Sequence, residues 1–208
     1  MGPAPWMPPT NPRSQAGGAN NSGCPEMVFQ MMFFRWHTHE IRVLYLWILQ
    51  PPIDFFNQLN LIYGSLVGIC TASTCATMSA GKRHEYRWAD DVSTAKPVRL
   101  SAPEYMDRLL SWVQSLLASD TIFPIGLETE YPPDFFDIVC RIFRRLLRIY
   151  AHVYRDHLEL LTGLNERCHL DACLGHFLLF AIEFRLIDTR ELSPLVKVIR
   201  SMAANSTS

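Results

Sequence analysis

Residues 141–157 read Arg141-Ile-Phe-Arg-Arg-Leu-Leu-Arg-Ile-Tyr-Ala-His-Val-Tyr-Arg-Asp-His157. Apolar residues recur at three- and four-residue steps (Phe143, Leu146, Leu147, Tyr150, Val153), the spacing of one buried helix face. With Phe136 and Val139 added upstream, the same face predicts a long helix from near Pro133 past Tyr154. Arg141, Arg144, Arg145 and Arg148 fall on another face, and Arg155 follows about two turns on. The stretch ends in His152 and His157. On an ideal helix five residues turn through about 500°, which leaves these two imidazoles about 140° apart. For both to serve one site, His157 must lie at a helix end or at a local distortion.

Far upstream, Cys70 and Cys75 repeat the spacing. Two thiolates and two imidazoles are the usual donors of a closed, tetrahedral structural zinc site. Zn²⁺ with two thiolates and two neutral imidazoles carries no net charge, which suits partial burial. A rival set exists: Cys168 and Cys173 share the spacing, with His169 and His176 close by. That set could bind a metal alone or replace the histidines opposite Cys70 and Cys75. A third reading makes Cys140, Cys168 and Cys173 small buried hydrophobes.

The rest of the chain suits one helical domain with a tail. Its 208 residues are 49% hydrophobic and 19% charged, with a net charge of −1, so no general attraction to nucleic acid follows. Residues 1–26 hold six of the fourteen prolines and read as a disordered tail. Residues 27–50 are apolar without clean periodicity and too polar for a membrane span. Pro51-Pro52 is expected to stop any helix arriving from upstream. The compact domain is placed at 51–202, with 203–208 frayed. No secretory signal is visible, so a reducing cytoplasmic or nuclear setting is expected.

Within the domain, Phe55, Phe56, Leu59, Ile62, Leu66 and Ile69 predict a helix from Asp54. Ser101 and Glu104 form a capping-box signature ahead of Tyr105, Leu109, Trp112, Val113, Leu116 and Leu117. A further helix is expected over 171–186. Asp188 could cap a last segment, its regular helix starting near Ser193. Between Gly81 and Leu100 a short β-hairpin is expected around Asp90-Asp-Val-Ser-Thr94. No phosphate-cradling glycine loop, Gly-x-Ser-x-Gly or His-Glu-x-x-His is present, and no acid/base pair stands out.

Trp47 to Leu195 resembles the Mob (Mps-one-binder) family of kinase co-activators. The resemblance is carried by Asp54-Phe-Phe-Asn-Gln-Leu-Asn-Leu-Ile-Tyr-Gly64, the Cys70/Cys75 pair, Met78-Ser-Ala-Gly81 and Glu85-Tyr-Arg-Trp-Ala-Asp90. Lys96-Pro97, Ser101-Ala-Pro103, Phe123-Pro124, Arg145 to Tyr154 and Glu183 to Glu191 extend it. It implies an all-α Mob/phocein-like domain on a four-helix bundle with a short β-hairpin and no enzymatic activity. It implies one structural zinc on Cys70, Cys75, His152 and His157, and removes Cys168 and Cys173 from the ligand list. It implies a phosphothreonine site for an upstream Hippo/MST-class kinase on Arg144, Arg145 and Arg148. For an unlabelled basic stripe the bland reading is a solvated face paired with scattered carboxylates.

The family's second surface, for NDR/LATS-class kinases, matches only in part. Trp47 and Asp54 correspond, and Leu44 fits. The acidic positions are occupied by Arg42 and Leu46, so this segment is divergent, and Asp54 could instead be a helix N-cap. A phocein-type adaptor in a phosphatase or trafficking complex is the alternative within the family.

Overall fold

The structure, a computed structural model, describes residues 41–89, 96–124 and 131–205, with backbone alone over 41–51. The expected 1–26 tail, residues 27–40, the Asp90–Thr94 stretch and residues 206–208 lie outside the described residues. Among the described residues six α-helices follow one another: α1 (Ile41–Leu66), α2 (Ala102–Leu117), α3 (Phe135–His152), α4 (Leu158–Gly163), α5 (Arg167–Glu183) and α6 (Val196–Asn205). A π turn, Val153–His157, joins α3 to α4, and a 3₁₀ segment, Thr189–Leu195, precedes α6. The described residues contain no strand, so the described fold is all-α.

Helix α1 corrects the expectation that Pro51-Pro52 ends a helix. It runs through both prolines. Proline's fixed φ near −65° is itself helical, so the pair removes two backbone donors without forcing an end. Downstream, Phe55, Leu59, Ile62 and Leu66 are all buried. This stripe meets α2, α3 and α5. At its centre the Phe55 ring lies edge-on to Phe143 at 5.6 Å and to Phe177 at 5.3 Å. Phe143 and Phe177 stack at 5.1 Å, and Tyr150 adds to Phe177 at 5.2 Å. Such aromatic pairs contribute beyond their buried area.

Two features of the expected helices differ. Ser101 has the extended backbone of an N-cap, but its side chain caps nothing. The Ala102 N–H instead donates to the Cys75 carbonyl at 2.9 Å, and Glu104 pairs with Arg108 at 3.3 Å. Phe136, expected inward, is 49% exposed. Phe135 takes the inward place, packing on Phe123 at 5.3 Å and Tyr131 at 4.7 Å, and the next residue is turned about 100° away. Asp188 does cap the 3₁₀ segment, accepting from the Arg190 N–H at 2.9 Å.

The expected hairpin reduces to isolated antiparallel bridges, Ser79 with Glu85 and Trp88 with Val98. Trp88 and Val98 exchange both backbone bonds, at 2.8 and 2.7 Å. Pro97 has no N–H to extend that ladder. Gly81 turns the first bridge with φ +78°, and a Cβ there would stand 2.9 Å from Arg155 Nε. Gly81→Ala should therefore cost about 1–2 kcal/mol. A urea midpoint lowered at unchanged slope would show it, and an unchanged midpoint would contradict it.

Candidate metal centre and basic face

Past the end of α1, Gly68 (φ +87°) reverses the chain. Cys70 N–H donates to the Leu66 carbonyl at 2.9 Å, and Cys75 N–H donates to the Thr71 carbonyl at 2.8 Å. Thr74 Oγ1 closes the turn between the cysteines by donating to the Ile69 carbonyl at 2.8 Å. The two thiols are thereby curled onto one side of a single loop.

The histidines reach the same place through the π turn. A π turn closes i→i+5, so it brings residues five apart into register where an α-helix would splay them. This is the local distortion that the spacing of His152 and His157 demands. Cys70 Sγ lies 3.5 Å from His152 Nε2, and Cys75 Sγ lies 3.4 Å from His157 Nε2. All four donor atoms fall within 4.8 Å of one another, so the four residues could hold a metal ion. Cys70, His152 and His157 are buried, and Cys75 is half-buried.

His152 is oriented for ligation. Its Nδ1 is 2.8 Å from the Ser79 carbonyl and 3.1 Å from Asp156 Oδ2. A carbonyl only accepts, so Nδ1 carries the proton and Nε2 presents its lone pair to the cluster. Burial, then the negative charge of Cys75, pushes the Cys70 thiol up to about 12. Burial, then the neighbouring His152, lowers the affinity of His157 for protons. A buried thiolate is thus unfavourable here until a cation stands beside it, while the His157 imidazole is held neutral and free to ligate.

The rival set does not assemble. Cys173 Sγ is 3.6 Å from His169 Nε2 one turn away on α5, and the His176 ring packs on Phe55 at 4.9 Å. Among the described residues only the Cys70/Cys75/His152/His157 group qualifies.

Arg144, Arg145 and Arg148 share one face of α3, in three different settings. Arg144 is exposed, its Nε donating to the Cys140 carbonyl at 3.3 Å. Arg145 is half-buried between Trp88 and Trp112. Arg148 donates to the Tyr105 hydroxyl at 2.8 Å and lies over the Tyr86 ring. Among the described residues, neither Arg144 nor Arg148 has a carboxylate partner. A face paired with carboxylates is therefore not what these two residues form. Tyr86, Trp88, Tyr105 and Trp112 were not singled out as site residues by sequence reasoning. The signal available was an aromatic at every second position of Tyr86-Arg-Trp88.

Trp47 is placed in α1 by its backbone alone. Asp54 lies in the interior of α1, which excludes the N-cap role. The charge of Asp54 partly offsets the lowering of the His176 pKa by burial. No described helix is long and apolar enough to cross a membrane.

A family model described as Mob1/phocein matches residues 43–195. The chain belongs to the Mob1/phocein family. Among its Mob relatives, MOB kinase activator-like 1B of Arabidopsis thaliana is 46% identical over 158 residues, 76% of this chain and 74% of the relative. MOB kinase activator-like 1A of Medicago sativa subsp. falcata is 47% identical over 156 residues, 75% and 73% of the two chains. MOB kinase activator-like 1 homolog B of Dictyostelium discoideum is 44% identical over 161 residues, 77% and 74%. The Mob match begins inside α1, upstream of the proline pair, and ends at Leu195, where the 3₁₀ segment closes.

Proposed function

We propose that this chain is a non-catalytic, zinc-stabilised Mob co-activator of the cytoplasm or nucleus. It would bind an NDR/LATS-class protein kinase and a phosphothreonine segment of an upstream Hippo/MST-class kinase. The observation that carries the proposal is one continuous helical run, 135–163, that holds both the basic face and two of the four metal donors. Its relatives are named kinase activator-like, which points the same way.

Zinc is favoured by donor chemistry and by size. With Zn–S of about 2.3 Å and Zn–N of about 2.0–2.1 Å, a tetrahedron has S···N edges of about 3.5 Å. The observed Cys–His separations are 3.5 and 3.4 Å. Four protein donors leave no position for water or substrate, so the ion would hold the fold and do no chemistry. Guanidinium groups on one face suit phosphate, which accepts their N–H donors in pairs. The kinase surface would use Trp47 and Asp54. Arg42 and Leu46, in place of acidic residues, would weaken it.

Co-purification with the N-terminal regulatory region of an NDR/LATS-class kinase tests the kinase half. Weak capture by the parent and stronger capture by the double variant Arg42→Glu, Leu46→Glu are expected. Absence of capture by both would overturn it, and recovery of a phosphatase complex instead would favour the phocein-type reading.

A further inference from the structure

A carboxylate stands beside the metal cluster without being one of its four donors. Asp156 lies in the π turn, four residues after His152 and one before His157. Four residues turn through about 400° of an α-helix, so this position lies nearly over His152. The wider π turn then brings in His157, whose ring centre is 5.1 Å from that of His152. One turn thus sets a donor and a carboxylate against the same imidazole.

His152 Nδ1 is 2.8 Å from the Ser79 carbonyl and 3.1 Å from Asp156 Oδ2. That nitrogen carries one hydrogen, which the two acceptors share. The carbonyl is the nearer and would fix the tautomer alone, so orientation leaves the carboxylate unexplained. Among the described residues no lysine or arginine pairs with Asp156. A surface ion pair does not explain it either. The His152 side chain is 1% exposed and that of Asp156 35%. The carboxylate therefore sits at the lip of the groove that opens on the cluster, with Ile69, Thr77 and Leu160 among the other walls.

Charge is what separates this acceptor from the carbonyl. A cation held at Nε2 draws electron density from the ring and makes Nδ1–H a stronger donor. An ionised acceptor gains more from that change than a neutral one. Asp156 therefore interacts more strongly with the loaded site than with the empty one, and by linkage that difference appears as metal affinity.

We propose that Asp156 is a positioning residue of the metal centre, acting through His152 Nδ1–H, and that its charge tightens the hold on zinc beyond what the Ser79 carbonyl provides. The inference rests on the zinc reading above.

The full-length chain and the variants Asp156→Asn, Asp156→Ala and Glu159→Gln test it. Competition with a chelator reads the affinity for Zn²⁺. Nitrogen-resolved NMR of the zinc-loaded proteins reads the His152 Nδ1–H proton. Zinc affinity should fall about tenfold in both Asp156 variants. Glu159→Gln removes an exposed charge three residues on and outside the cluster, and should bind zinc as the parent does. The Nδ1–H proton should lie downfield in the parent and move upfield in both Asp156 variants, which a loss of stability alone would not produce. Parent affinity in both Asp156 variants would overturn the role of Asp156 and leave the zinc reading standing. Parent affinity in Asp156→Asn, with a loss in Asp156→Ala, would overturn the role of its charge. A folded parent that takes up no zinc would remove the zinc reading and this inference with it.

Discussion

Cys75→Ser, or removal of the metal by a chelator, should leave the chain without a folded domain. The magnitudes decide this. A structural zinc contributes roughly 10–16 kcal/mol of apparent binding free energy. A domain of ordinary stability has only about 5–15 kcal/mol to lose. The site ties the loop after α1 to the π turn after α3. Without the ion, Cys70 and His152 would be left as buried polar groups that have lost a partner. Circular dichroism and tryptophan emission during zinc release would follow the collapse. Cys140→Ser is the control, since Cys140 is a half-buried thiol on α3 outside the cluster. A Cys75→Ser protein that melts at the parent's midpoint would refute a structural metal.

Arg145→Ala should weaken phosphothreonine-peptide binding by about 10- to 100-fold, the worth of a hydrogen bond to a charged group. Arg145→Lys should rescue little. A lysine restores the charge but not the planar fork, nor the stacking between Trp88 and Trp112. Arg144→Ala should cost less than Arg145→Ala, because the exposed Arg144 side chain pays its ordering entropy on binding. Equal binding of phosphorylated and unphosphorylated peptides by parent and variant alike would remove the basic face from the account.

Much of this was legible in the residues. The apolar steps of α1, α2 and α3 follow from burial of one face each, and the buried stripe Phe55, Leu59, Ile62, Leu66 falls where the spacing puts it. The four candidate metal donors could be named as one of two sets, beside a reading with no metal, because thiol and imidazole chemistry is written in residue type. Choosing between the sets needed the resemblance, since nothing local distinguishes Cys70/Cys75 from Cys168/Cys173. Helical arithmetic showed that His152 and His157 require a distortion, but not which one, because a π turn has no composition of its own. The proline pair misled for a related reason: residue rules weigh the missing N–H bonds and not the compatible φ. Phe136 misled because two adjacent phenylalanines offer two helical phases, and only the packing of Phe135 on Phe123 and Tyr131 selects one. The aromatic frame around Arg145 stayed invisible because it joins segments distant in sequence.

Native mass spectrometry of the full-length chain, sprayed alone and with one phosphothreonine peptide, tests the account most directly. A single compact charge-state family is expected at the mass of one chain plus one zinc, taking up one phosphorylated peptide and none of the unphosphorylated copy. A compact, peptide-binding chain that carries no metal would contradict it.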